Sequence, residues 1–210
     1  MNVVLLHDLG DPSGGAAWRD VAPIGWNVLD LPGHGAAGLP RSGHYDPMAA
    51  ATIARWALNA EQSASQAVVV GVGSNAHSAL VCASGGVTTA AVIVDGLWGP
   101  WLTPRAQVDT QYAMIRAIAD DVEAIATAPQ YGIDPRTRYG YCLASSDEFL
   151  RYFWGSIDHP VLAIETPRSL TPAAERAPRL EHFAGEATLV ELSSDAPQEI
   201  VKAIEVWLGT

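Results

Sequence analysis

Cysteine is nearly absent from this chain: there are two, Cys82 and Cys142, in 210 residues. They lie far apart and neither belongs to a CxxC pair, which excludes a disulfide framework and a thiolate metal cluster as the basis of the fold. Two reduced thiols in a reducing compartment are expected. Basic residues are also scarce, 12 Lys and Arg against 23 Asp and Glu, for a formal charge of −11. A polyanion would be repelled at almost any face, so nucleic acid is excluded as a partner. Long hydrophobic runs are missing too. The opening MNVVLLHDLGD has no basic stretch before its apolar residues, and His7 and Asp8 interrupt them, so neither a secretory leader nor a membrane span is expected. These absences point to a soluble cytoplasmic protein without a membrane partner; nothing in them identifies a protein partner. Metal-ligand spacing is lacking as well. His7, Asp8, His34, His44 and Asp46 form no HxH or HxxxH pattern on one strand or helix, and no metal is expected.

What is present is an alternation. The length suggests one domain over residues 1–210, and surface scaling for 22.2 kDa has folding bury about 70% of the accessible area. No staple is needed. Short β-branched runs predict strands at Asn2–His7, Trp26–Asp30, Ala67–Val72, Ala90–Asp95, Val161–Glu165 and Thr188–Leu192. Helices are predicted between and after them at Pro47–Ala60, Asn75–Ala83, Arg105–Ala126, Asp147–Phe153 and Pro197–Leu208, the last opening on a proline that forgoes only an unused donor. Such alternation predicts an α/β fold, a mostly parallel sheet of about six strands with helices on both faces. One stretch breaks the rhythm. From Gly96 to His159 no good strand occurs, and a structureless loop of that length is uncommon, so residues 96–159 are expected to form a short helical cap. Its aromatics, Trp98, Trp101, Tyr131, Tyr139 and Tyr141, fit either packing against the sheet or the lining of an apolar cavity.

Ligands of open parallel sheets bind at the carboxyl ends of the strands, where loops converge and helix N-termini point. The residues there are His7, Asp8 and Gly10; Gly33 to Gly35; Gly71 to His77; Asp95 to Trp98; Thr166 to Ser169; and Ser193 to Ala196. Among them VVLLHDLGDPSGGAAWRDVAP followed by GWNVLDLPGHGAA resembles the opening of the α/β-hydrolase family, with an HG-type oxyanion loop after one strand and DLPGHG after the next. PVLAIETPRS resembles that family's acid-bearing strand, and APQEIVKAIEVWL its closing helix. The resemblance covers nearly the whole chain outside 96–159. It implies an α/β-hydrolase-like fold and an ester or acyl hydrolase, or a related lyase, as the activity if the chain is enzymatic.

The family's functional residues do not carry over with the fold. A GxSxG elbow exposes a serine between strand and helix, whereas the matching residues here are Gly71, Val72, Gly73, Ser74 and Asn75. Gly73 occupies the nucleophile position. The acid position falls near Ser169, the histidine position falls in Ser193, Ser194, Asp195 and Ala196, and the last histidine in the chain is His182. Triad members act as one unit, so the resemblance predicts a degenerate triad, a pseudoenzyme. Asp8 also stands where the oxyanion loop normally has glycine, and a carboxylate there opposes a developing oxyanion.

The leading expectation is therefore a protein that binds a small apolar or acyl-type molecule without ordinary ester hydrolysis. The pocket residues would be His7, Asp8, Gly73, Ser74, Asp95 and Trp98, with no cofactor. An alternative keeps an unorthodox active site in which Ser74 attacks, His7 or His77 is the base, and Asp95 or Asp8 orients it. Ser74 as a helix cap and His77 as a packed helix residue are the competing readings. A third reading takes Gly71, Val72 and Gly73 with Ala76 as a GxGxxA dinucleotide turn and Asp95 as the ribose-binding acid, but leaves HDLGD and DLPGHG unexplained.

Overall fold

A computed structural model describes residues 1–8, 13–31, 34, 47–60, 67–86, 88–97 and 149–210. Six strands form one sheet: β1 (Asn2–Leu6), β2 (Trp26–Leu29), β3 (Ala67–Val72), β4 (Ala90–Val94), β5 (Val161–Glu165) and β6 (Ala187–Glu191). Their order is β2-β1-β3-β4-β5-β6 and each neighbouring pair is parallel. Every residue of β1, β3, β4 and β5 is buried. That is the behaviour of strands covered on both faces, and it explains why they read as unbroken apolar runs.

The helices are α1 (Ala16–Arg19), α2 (Pro47–Ala60), α3 (Ala76–Ser84), α4 (Phe149–Ser156), α5 (Ala173–Leu180) and α6 (Pro197–Leu208). Side chains alternate between two cores, as a pleated strand requires. On one face Val4, Leu6, Val69, Ile93 and Ala163 pack with Leu58 of α2, Leu80 of α3 and Trp154 of α4. On the other, Val3, Leu5, Val70, Val92 and Leu162 meet Trp18 of α1 and Ile200, Val201 and Ile204 of α6. Pro197 opens α6, and Gly209, at φ 72°, closes it in the left-handed conformation that glycine adopts without a steric penalty. The predicted bounds of β3, β5, α2 and α6 are reproduced. The predicted strands ending at His7, Asp30 and Asp95 each stop one residue sooner, and β6 is displaced by one residue. The predicted Asn75–Ala83 helix begins at Ala76, after a single 3-10 turn over Gly73–Asn75.

Two short helices are additions to the sequence reading. α1 has only four residues, held to β2 by Asp30, whose carboxylate accepts the Gly15 amide at 2.8 Å and a two-pronged contact from Arg19. α5 carries Pro178 in its interior, a residue that normally argues against a helix. The predicted helix Arg105–Ala126 and most of the 96–159 insertion lie outside the described residues. Within that insertion, α4 buries Trp154, which stacks on Phe183 with ring centroids 4.7 Å apart, and Ile157 joins the same core.

This topology places a crevice. From β1 the chain moves outward to β2, and from β3 it moves the opposite way to β4. The loops leaving β1 and β3 therefore diverge, and the space between their carboxyl ends is where open α/β sheets take their ligands.

Candidate functional site

The β1 strand delivers His7 and Asp8 to that crevice, and β3 delivers Gly73 and Ser74. The turn after β3 is sharp. Gly71 approaches the following helix so closely that a Cβ there would stand 2.1 Å from the backbone oxygen of Asn75. Gly73 has φ 56°, the left-handed conformation that costs a side-chain-bearing residue roughly 1–2 kcal/mol. The backbone thus turns tightly from strand to helix, with Gly73 at the bend.

The space in front of Gly73 is filled. A Cβ built on Gly73 would lie 2.2 Å from Asp8 Oδ1 and 2.4 Å from the carboxyl carbon. The Asp8 carboxylate stands where the side chain of residue 73 would otherwise project, and its Oδ1 accepts the Ser74 amide at 3.1 Å. Asn75, fully buried, ties the two strand ends together. Its Nδ2 donates to the His7 carbonyl at 2.6 Å and its Oδ1 accepts from Ser78 Oγ at 2.9 Å.

His7 is fully buried, and both ring nitrogens are engaged. Nδ1 lies 2.8 Å from the Asp8 carbonyl oxygen, and Nε2 accepts the Leu31 amide at 3.3 Å. A carbonyl only accepts and an amide N–H only donates, so these contacts fix the neutral tautomer with hydrogen on Nδ1. Its ring packs edge-on against His34, with centroids 4.8 Å apart. Among the described residues no hydrogen bond joins either ring nitrogen to Ser74. His77, on α3, is buried.

Asp95 directly follows β4, at φ 52°. Its two oxygens take the amide and hydroxyl of Thr166, each at 2.7 Å, so it fastens the end of β4 to the end of β5. One residue before Thr166 stands Glu165, fully buried, which accepts the Leu97 amide at 3.2 Å and a hydrogen bond from Ser169 Oγ. Burial pushes the Glu165 carboxyl above the usual range. The Ser169 and Leu97 hydrogen bonds oppose that shift, Asp95 adds to it, and Arg176 opposes it. Arg179 then donates to the Leu97 carbonyl at 2.6 Å.

Asp8, Gly73, Ser74 and Asp95 line one cavity of about 260 Å³, together with Val72, Arg168 and Leu170. Of the sequence-predicted pocket residues these four are brought together, His7 is buried beneath them, and Trp98 lies outside the described residues. Val72, Arg168 and Leu170 are additions. Val72 and Arg168 fall within the strand-end segments Gly71 to His77 and Thr166 to Ser169 without being singled out there, and Leu170 lies one residue beyond the second. Arg168 Nη2 is 3.9 Å from Asp8 Oδ2, and its Nε is 4.0 Å from Asp195 Oδ2 on the far side. A larger hollow of about 700 Å³, walled by Val68, Pro160, Glu186 and Trp207 among others, opens at the amino ends of the strands, away from every strand-end group described above.

Among the described residues no group of His, Cys, Asp and Glu is disposed to hold a metal, and no helix is long and apolar enough to cross a membrane. Cys82 is buried and unpaired, and burial pushes its thiol up to about 12, which leaves almost no thiolate at neutral pH. Cys142 lies outside the described residues.

The fold as a whole finds many counterparts among solved structures. A hydrolase from Oleispira antarctica superposes with a TM-score of 0.73 at 13% identity, covering 100% of this chain and 92% of its own. The fold is that of the α/β hydrolases. An enol-lactonase from Burkholderia xenovorans matches at TM-score 0.68 and 19% identity, over 99% of this chain and 91% of its own. An esterase from a Rhodococcus species matches at 0.63 and 21%, over 100% and 90%. No family model and no curated protein matches the sequence.

Proposed function

We propose that this α/β-hydrolase-fold protein binds a small molecule at the carboxyl end of its sheet and does not perform ordinary ester hydrolysis. The observation that carries this reading is the pairing of Gly73 with Asp8. An acyl hydrolase needs a nucleophile at the elbow and an unoccupied amide beside it to receive the oxyanion. Position 73 has no side chain, the space before it holds a carboxylate, and the neighbouring amide of Ser74 already donates to that carboxylate. A negative charge developing there would meet Asp8 at close range. Of the other triad positions, the acid position falls on Ser169, and the histidine position at Ser193 to Ala196 offers Asp195 but no imidazole.

The alternative active site of Ser74, His7 and Asp95 finds little support in the geometry. Both nitrogens of His7 are committed, and both oxygens of Asp95 are taken by Thr166. A dinucleotide site is disfavoured for the same reason as an oxyanion: a phosphate approaching Gly73 meets Asp8. The test is turnover of short activated esters by the wild-type protein and by Ser74→Ala. Turnover no greater than buffer for both is expected; hydrolysis abolished by Ser74→Ala would overturn the reading.

A further inference from the structure

The cavity walls carry three hydrogen-bonding groups that make no hydrogen bond with any described residue: the Oδ2 of Asp8, the hydroxyl of Ser74 and the guanidinium of Arg168. Asp8 uses its other oxygen for the Ser74 amide. Arg168 bonds through its backbone amide to Thr166 Oγ1, while its guanidinium stands near Asp8 and Asp195 at 3.9 and 4.0 Å, beyond hydrogen-bond reach. An acceptor, a hydroxyl and a five-donor cation thus face one volume of about 260 Å³, room for roughly nine water-sized groups. Beside them are Val72 and Leu170, the latter 72% exposed at the cavity mouth.

The charges on this wall discriminate among ligands. A lone carboxylate drawn to Arg168 meets Asp8, with Asp95 on the same cavity. A lone amine drawn to Asp8 displaces Arg168 and leaves the guanidinium charge facing its own. A molecule carrying both charges exchanges the two loose pairs of Arg168, with Asp8 and Asp195, for two close ones: its ammonium on Asp8 Oδ2 and Ser74 Oγ, its carboxylate on the fork of Arg168, which suits carboxylates in two-pronged fashion. We infer that the cavity takes a small amino-acid-type zwitterion whose apolar side chain lies on Val72 and Leu170. This rests on the cavity being a binding site rather than a hydrolytic one, and it names the ligand class.

The experiment is an amide-resolved NMR titration of the full chain with three probes of related carbon skeleton: leucine, isoamylamine and isovalerate. Leucine is expected to shift the Gly73 and Ser74 amides saturably, with an affinity about tenfold or more above either singly charged probe, the gain one added charge-assisted contact brings. Asp8→Asn should weaken leucine binding by a similar factor. Arg168→Gln, at a side chain 64% exposed, should leave the fold intact and erase the advantage of leucine over isoamylamine. Isovalerate binding as tightly as leucine, unchanged affinity in both variants, or no saturable shift with any probe would each overturn the assignment. Ester turnover lost in Ser74→Ala removes the non-hydrolytic reading instead. Absence of both turnover and binding removes the ligand class alone.

Discussion

A methyl group at position 73 has nowhere to go while Asp8 stays in place. Its contacts would be 2.2 to 2.8 Å from three atoms of the Asp8 carboxyl group, and φ 56° disfavours any side chain there. Gly73→Ala is expected to cost roughly 2–5 kcal/mol, the sum of overpacking and left-handed strain. The Asp8→Gly partner should return part of it. In a double-mutant cycle by urea denaturation the coupling is expected at about 0.5–3 kcal/mol in favour of the pair; strict additivity would mean that Asp8 does not fill that space. Gly71 offers the contrast. A Cβ there meets the backbone oxygen of Asn75 at 2.1 Å and Ala79 Cβ at 2.8 Å, and a backbone atom cannot swing aside. Gly71→Ala should destabilise at least as much, and Asp8→Gly should not rescue it.

At the scale of elements, acidic side chains sew the strand ends together: Asp8 joins β1 to the turn after β3, Asp95 joins β4 to β5, and Asp30 joins β2 to α1. Asp95 does this at φ 52°, a conformation asparagine tolerates better than alanine. Asp95→Asn is therefore expected to lower the thermal midpoint by less than Asp95→Ala, which also leaves the Thr166 amide without its acceptor and should cost about 1.5–3 kcal/mol. Equal midpoints for the two variants would show the clamp to be without weight. These clamps also mark where the sequence stopped being legible. β1, β3, β4 and β5 were readable because burial on both faces makes the whole run apolar, and Gly73 at the elbow was readable from a five-residue pattern. The meeting of Asp8 with Gly73 joins residues far apart in the chain, and no local pattern encodes it. α5 was missed because Pro178 and its charges conceal a helix whose buried contact is Arg179 on the Leu97 carbonyl. Arg168 lies in a strand-end segment legible from the sequence, whereas Leu170 reaches the cavity only through the path of the loop after β5.

For the whole molecule, two electrostatic terms act in the same direction. A net charge of −11 repels itself in the compact state, and Glu165 is held uncharged more readily when folded than when unfolded. The sign follows from proton counting. A group whose folded value is raised binds more protons in the native state, so stability falls as pH rises from the ordinary glutamate range through the raised folded value. The two terms separate by salt. Screening at about 1 M shortens the Debye length to roughly 3 Å and removes most of the surface repulsion, but a fully buried carboxyl is little affected. In high salt the remaining loss of thermal midpoint over that pH window should belong largely to Glu165, and Glu165→Gln should flatten it. A slope unchanged in the glutamine variant would assign the pH response to the surface charge instead, and would leave Glu165 as a group whose hydrogen bonds to Leu97 and Ser169 fully offset its burial.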